Sequence, residues 1–380
     1  MGKALSSTSI NRYQLKQYTT MKKIFRFSIL LLALILPATA LAYDFEVDGI
    51  YYNINGNEVT VTNNGSVYSG SVVIPATVTY DGTTYRVTAI GSSAFSGCRG
   101  LTSIVIPNSV TKIGNFAFYS CTRLTSIVIP NSVTIIGGSA FRECTGLTSI
   151  VIPNSVTSIS NEAFYECTGL TSIDIANSVT SIGDKAFSFC YGLTSIIIPN
   201  SVTSIGSEAF VSCNRLTSIV IPNSVTEIGN EAFFSCLGLT SIVIPNSVTS
   251  IGDEAFWGCT GLTDVYSYIV DLSRISSGNE QFYSYDWGYS GRTLHVLQGT
   301  ASAYQTNEDW YPYFGQIVED IFMGDVNGDL EINIDDVTAL IEILLSGETA
   351  LQTADCDQNG RINIDDVTTL INYLLSGSWN

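Results

Sequence analysis

Residues 147–167 read LTSIVIPNSVTSISNEAFYEC, and the same text with small changes recurs on both sides of them. Cysteines stand at positions 98, 121, 144, 167, 190, 213, 236 and 259, each 23 residues after the last. A unit this short cannot enclose its own apolar face, so copies must bury that face by stacking on one another. The expected fold is a solenoid of 23-residue coils, mainly β with short helical turns.

One coil can be traced residue by residue. Leu147, Ile150 and Ile152 have the spacing that turns side chains inward from a short strand, which leaves Ser149 and Val151 facing out. Pro153 offers no N–H to a ladder and ends the strand, and Val156 and Ile159 form a second inward pair. Asn161 in this unit and Asp184 in the next stand where a side-chain oxygen caps a brief helical turn. Ala163, Phe164 and Cys167 then return the chain to the interior, so that about eight side chains are buried per coil.

A stack of coils exposes unpaired backbone only at its two ends, where caps are expected. Before the repeats, Ile50 to Val61 alternates around Asn55-Gly56, and Val72 to Val87 turns at Asp81-Gly82, both hairpin signals. After Leu262 the period gives way to a segment dense in Tyr, Trp and Phe. The boundaries drawn are an N-terminal β cap over 43–90, repeats over 91–261 and an aromatic C-terminal cap over 262–318.

Ahead of the cap, Lys22, Lys23 and Arg26 precede an apolar run from Ser28 to Leu36, followed by Pro37 and Ala40-Leu41-Ala42. This is the pattern of a secretory signal peptide over 21–42, cleaved before Tyr43, with residues 1–20 an extension or a mis-assigned start. The apolar run is too short for a membrane span, so the expectation is a secreted chain that reaches a surface only through a partner. In an exported chain, cysteines usually pair. Here stacked strands about 4.8 Å apart would hold equivalent Cβ atoms too far apart for a disulfide, which needs about 3.5–4.5 Å. The eight are therefore read as an inward ladder of reduced thiols packed as small apolar groups, in preference to disulfides or a metal site. Cys356 lies outside it with no evident partner.

The unit LTSIVIPNSVTSIGDEAFxxC, sustained through seven consecutive copies, resembles the BspA-like leucine-rich repeat of exported bacterial and some protist proteins. The resemblance implies parallel strands lining one face and adhesion to host or bacterial surfaces. Asp174, Ala176 and Ser160 depart from the usual Val, Pro and Gly of their positions, which raises a local bend or binding spot.

The formal charge of −18 is unevenly distributed: residues 319–380 hold 13 carboxylates and one basic residue, Arg361. So local an excess argues against a nucleic-acid partner and suits a hard cation or a basic one. Two segments 30 residues apart, 325–336 and 355–366, explain it. Asp325, Asn327, Asp329 and Asp336 in the first, and Asp355, Asp357, Asn359 and Asp366 in the second, stand at positions one, three, five and twelve of a calcium loop. The backbone carbonyls of Glu331 and Arg361 complete each set, and about two Ca²⁺ ions are expected. Each loop runs into an apolar helix, with Ile334, Val337, Leu340, Ile341 and Leu344 matched by Ile364, Val367, Leu370, Ile371 and Leu374.

A duplicated loop and helix over 319–380 resembles a type I dockerin: a small all-α module with two EF-hand-like calcium loops. The resemblance implies that calcium is needed for folding and that one helix face docks onto a cohesin-bearing scaffold or surface protein. In that family the tenth and eleventh loop residues help choose the partner. Here they are Ile334-Asp335 and Ile364-Asp365, identical in both halves, which permits docking in two orientations.

Other surfaces admit two readings each. The outward strand position carries Val105, Val128, Val151, Asp174, Ile197, Val220 and Val243, beside a column of serines. It is either a binding face or simply a place where β-branched residues stack well. The residues two before each cysteine, Tyr119, Arg142, Tyr165, Ser188, Val211, Phe234 and Trp257, are either a recognition ridge or unconstrained variation. Phe282, Tyr283, Tyr285, Trp287 and Tyr289 either stack on sugars or cover the end of the core.

Catalysis is not expected. The only histidine, His295, has no nucleophile motif beside it, and no phosphate-binding glycine loop occurs. The function expected is a secreted, non-catalytic binding or adhesion protein, its repeats facing protein or glycan and its tail docked through calcium. The alternative is a non-catalytic part of an extracellular polysaccharide-degrading complex.

Overall fold

A computed structural model describes residues 43–65, 67–283, 291–326, 332–346, 352–357 and 361–376. The signal-peptide segment and the extension before it lie outside the described residues. So do Tyr285, Trp287, Tyr289, Asn327, Asp329, Glu331 and Asn359.

Successive coils pair in parallel with every residue opposite its own counterpart. Ser149, Ile150, Val151 and Ile152 face Ser172, Ile173, Asp174 and Ile175, and on the next side of the coil Ile159 faces Ile182, which faces Ile205. Because the pairing places like on like, each inward residue type becomes a column. Leu147, Ile150, Ile152, Val156, Ile159, Ala163, Phe164 and Cys167 are all at most 3 % exposed. The phenylalanines form an unbroken stack from Phe95 to Phe282, with ring centroids 5.1–5.5 Å apart. Threonine hydroxyls run up the outside as a second ladder, Thr171 donating to the Thr148 carbonyl at 3.0 Å and Thr148 to that of Thr125 at 3.3 Å.

The cysteines are free and buried. Their columnar register also gives them a role that periodicity alone did not suggest. The thiol of Cys167 donates to the carbonyl of Phe141 at 3.0 Å, and the same bond, 3.0–3.3 Å long, recurs from Cys121 to Cys259. A buried carbonyl thus finds a weak donor that is small enough for the column. Burial pushes the thiols of Cys190 and Cys259 up to about 12 from an ordinary value of 9.0. The native protein at pH 8 should therefore resist alkylation at all eight positions, and mass spectrometry should show labelling only after unfolding. Since the folded pKa lies above the unfolded one, the stability from neutral thiols is complete below pH 9 and declines as the pH rises toward 12. Brisk labelling of a central thiol in the folded state would contradict this account.

Asn161 and Asp184 do not cap a helical turn. The 161–167 segment is a run of tight turns in which Ala163, Tyr165 and Cys167 donate to the carbonyl three residues back. The alternate N–H groups of Glu162, Phe164 and Glu166 reach carbonyls of the following coil at 2.8–2.9 Å. That alternation requires left-handed backbone at Glu162 and Glu166, both at φ 56°. Asn161 instead accepts from the Asp184 N–H of the next coil at 3.0 Å, and Asp184 from Ser207 at 2.9 Å. The glycine at position 183 leaves room for this bridge, since a Cβ there would stand 2.5 Å from the Asn161 side-chain oxygen. Where Ser160 replaces that glycine, its hydroxyl takes the Ile136 carbonyl at 2.6 Å, and the strand ladder is interrupted between Ile136 and Ser158.

Stacking extends beyond both boundaries drawn from the sequence. Ser69–Val73 pairs in parallel with Gly100–Val105, so a coil precedes residue 91. Its spacing from Ser71 to Ser103 is 32 residues because the hairpin Thr77–Tyr80/Thr83–Ile90, turning at Asp81-Gly82, is inserted within it. At the other end Asp264–Ser267, Thr293–Leu297 and Gln316–Ile321 extend the parallel sheet of the repeat strands Ser218–Val220 and Ser241–Ile244. The last of these strands crosses the boundary placed at 318/319. Trp310, with Tyr304 and Phe314, seals the ring stack against Phe282. Beside them the buried Arg292 donates to the carbonyls of Leu262, Cys259 and Phe282. Phe282 is fully buried and serves as cover.

Candidate functional site

After the final solenoid strand, Met323 packs with Ile321 against Tyr268 and Leu297, and a separate small core begins. It comprises Val326, Val337 and Leu340 from one copy of a loop followed by a helix, and Ala354, Cys356, Val367 and Leu370 from a second. The helices are Ile334–Ser346 and Ile364–Ser376. Cys356, without a partner by sequence, is an apolar member of this core whose thiol burial pushes up to about 12.

Both helices begin in the same way. Asn333 accepts from the Asp335 N–H at 2.7 Å, while Asp336 reaches back to accept from the Asn333 N–H at 2.8 Å. Asn363, Asp365 and Asp366 repeat this at 2.7 and 2.7 Å. The reciprocal pair satisfies helix-end donors and puts acidic charge at the positive end of the helix. The second oxygen of each aspartate ties down the opposite end of its loop, Asp336 accepting from Val326 at 2.7 Å and Asp366 from Asp357 at 3.3 Å. The twelfth loop residue therefore both starts the helix and closes the loop.

In the second loop Asp355, Asp357 and Asp366 each bring a carboxylate oxygen within 4.8 Å of the others. Asp355 and Asp366 are buried, and burial is the main reason the Asp366 carboxyl is raised above its ordinary value. Three carboxylates converging where two are withdrawn from water fit a hard divalent cation that takes oxygen ligands. Arg361 is exposed at the seventh position, where only its carbonyl would serve. In the first loop Asp325 and Asp336 are likewise buried.

The helices also divide their apolar residues in a way the matched pattern did not separate. Val337, Leu340, Val367 and Leu370 face the core. Ile334, Ile341 and Leu345 are 65, 40 and 83 % exposed, and Ile364, Ile371 and Leu375 are 66, 39 and 82 % exposed. Their spacing of seven and eleven residues places each trio along one outward helix face, with Asp335 or Asp365 exposed at its start. Ile341, Leu345, Ile371 and Leu375 are additions to Ile334, Asp335, Ile364 and Asp365, the residues expected to meet a partner; the seven- and eleven-residue spacings were the available signal.

On the solenoid, Val105, Val128, Val151, Ile197 and Val220 are 54–80 % exposed and Asp174 is exposed in the same column. Val243 is half-buried beside Tyr266 and the Met323 cluster. The column runs further than the repeats, from Val73 through Val243 to Tyr266 and His295. His295 stacks on Tyr266 at 4.3 Å and bridges Asp320 (2.7 Å) and Asp264 (3.1 Å), clamping three coils together. The Thr263 hydroxyl, then His295, hold the Asp264 carboxyl below its ordinary value. The residues two before each cysteine do not make an exposed ridge: Ser188 and Val211 are buried, and Arg142 lies over the Tyr165 ring at 4.2 Å beside Glu162.

Residues 82–263 match the BspA type leucine rich repeat region in six copies, and residues 323–375 match the dockerin type I domain. The chain thus combines a BspA-type leucine-rich repeat array with a C-terminal type I dockerin, a module that binds calcium and implies a cohesin partner. Similar solved structures include a leucine-rich repeat protein from Bacteroides ovatus (25 % identity, 74 % of this chain and 90 % of that one, TM-score 0.37). Another is a leucine rich cell surface protein from Faecalibacterium prausnitzii (23 %, 76 % and 97 %, 0.36). No curated protein matches the chain. The matched regions are typically non-catalytic and typical of extracellular or surface proteins. Among the described residues no helix is long and apolar enough to cross a membrane.

Proposed function

We propose that the chain is exported through residues 21–42 and works as a non-catalytic adhesion rod. In this reading its repeats hold a protein ligand along the Val105-to-Val220 column, and its dockerin, carrying two Ca²⁺ ions, fastens it to a cohesin on a scaffold or cell surface. The observation that carries the docking half is the duplicated exposed trio, Ile334, Ile341, Leu345 and Ile364, Ile371, Leu375. Exposed apolar stripes of this kind on a small acidic module are normally covered by a partner. A protein ligand is favoured over glycan on the solenoid face because the exposed Val105-to-Val220 column is aliphatic apart from Asp174, and Tyr266, further along the column, is stacked on His295. Binding of glycan in its place would favour membership of a polysaccharide-degrading assembly.

The docking half is tested by titrating a panel of type I cohesins with the full chain in calcium and in chelator. At least one cohesin should bind in calcium only. Leu345→Asp alone should weaken binding by no more than a few-fold, because the second helix presents the same face. Adding Leu375→Asp should weaken it at least a hundredfold, as expected when a central apolar anchor of an interface is lost from both faces. Equal binding by the double variant would remove these helices as the docking surface.

A further inference from the structure

At the N-terminal end of the solenoid, the outward-facing sheet begins with Ser69–Val73, which pairs with Gly100–Val105 along one edge. Among the described residues no strand pairs with its other edge. In a parallel ladder, alternate residues direct their N–H and C=O groups to opposite sides. The Ile74 N–H donates to Val105 at 3.0 Å, so Val73 and Ser71 direct theirs away from the solenoid. They open into a cleft of about 440 Å³ whose far wall is the hairpin tip around Asp48-Gly49.

The chemistry of the cleft selects among occupants. Tyr52 and Tyr68, which line it, are 1 % and 8 % exposed, and the Tyr68 hydroxyl is held by the Thr62 carbonyl and the Tyr51 N–H. These two rings offer little flat surface to a sugar, and the third, the half-buried Tyr51, is packed edge-on to Tyr43 at 4.7 Å and tilted against Tyr68. The cleft does offer a five-residue strand edge, a 62 % exposed Val73, the Ser69 hydroxyl, and a single charge, Asp48. An added strand satisfies the edge through its backbone, and a cationic side chain meets Asp48. We propose that this cleft binds an extended, basic peptide segment of a partner protein, which adds as a strand to the Ser69–Val73 edge with a lysine or arginine against Asp48. The site is separate from the dockerin and uses backbone groups that the Val105-to-Val220 column does not.

The test is selection from a random octapeptide display library on the full chain in chelator, so that failure of dockerin docking cannot affect the outcome. Enriched peptides should alternate β-branched residues and carry a lysine or arginine. N-methylation of alternate amides in a synthetic winner should weaken binding at least tenfold. Asp48→Asn should weaken it several-fold while keeping the turn, because asparagine accepts the left-handed backbone, φ 52°, found there. Ser71→Pro, which removes an edge N–H, should weaken it at least tenfold. Four results would overturn the proposal: no enrichment over the Ser71→Pro chain, indifference to N-methylation, displacement of the winner by neutral oligosaccharides such as cellohexaose or xylohexaose, or sedimentation showing that a second copy of this chain occupies the edge.

Discussion

Phe187→Ala should destabilise the solenoid by about 3–5 kcal/mol, the range for removing a fully buried aromatic ring. Phe187 is 0 % exposed, with rings stacked on both faces at 5.5 and 5.3 Å. The rigid column on either side is held by inter-coil hydrogen bonds and cannot close over the gap, which puts the cost toward the upper end. A stack in which each coil touches only its neighbours should also respond in a particular way. Chemical denaturation followed by circular dichroism and tryptophan fluorescence should show the single transition broaden or split, with the C-terminal coils around Trp257 and Trp310 unfolding separately. A loss below about 1 kcal/mol would mean that the ring stack is incidental to stability.

Chelation of calcium should unfold the dockerin helices and leave the solenoid intact. The module's core is seven buried residues, too small to hold two helices by apolar burial alone. It also gathers Asp355, Asp357 and Asp366 at one point. Far-ultraviolet circular dichroism of the full chain should lose its helical component in chelator and recover it with calcium, while the β signal stays constant. Asp366→Ala should be more severe than loss of one ligand suggests. The same carboxylate accepts the Asn363 and Asp357 N–H groups, so the substitution removes one half of the reciprocal pair at the helix start, about 1 kcal/mol, along with the ligand. Calorimetry should then show calcium affinity at the second loop reduced at least a hundredfold, with the solenoid transition unchanged. Helical signal that persists in chelator would show that the module folds without the ion.

The contrast between what was and was not legible in the sequence has a physical origin. Leu147, Ile150, Ile152, Phe164 and Cys167 could be read as inward because solenoid burial depends on side-chain type at a fixed spacing, and the spacing repeats. The convergence of Asp355, Asp357 and Asp366 could be read because calcium geometry demands oxygen at set positions. The turns at 161–167 could not, since Glu162, Ala163, Phe164 and Glu166 are acceptable helix formers. What selects left-handed backbone is the carbonyl row of the next coil, a tertiary effect that local propensity does not contain. The first coil was hidden by the hairpin of Thr77–Tyr80 and Thr83–Ile90 inserted within it. The last coils were hidden because Asp264, Thr293 and Gln316 keep the register while changing the residues. Within the dockerin, the apolar residues of each helix were evident, but their division into a buried and an exposed set depends on where the other helix lies.

The identity of register from coil to coil has an evolutionary corollary. Since Ile159, Ile182, Ile205 and Ile228 stand opposite one another with no seam to distinguish one junction from the next, unequal crossing-over in the gene could remove or duplicate one whole unit without creating a mismatched joint. Reach would change in steps of one inter-strand spacing, while the tether and the leading hairpin stayed as they were. Lineages could thus lengthen or shorten the repeat array by recombination alone, without waiting for point mutations to repair a core.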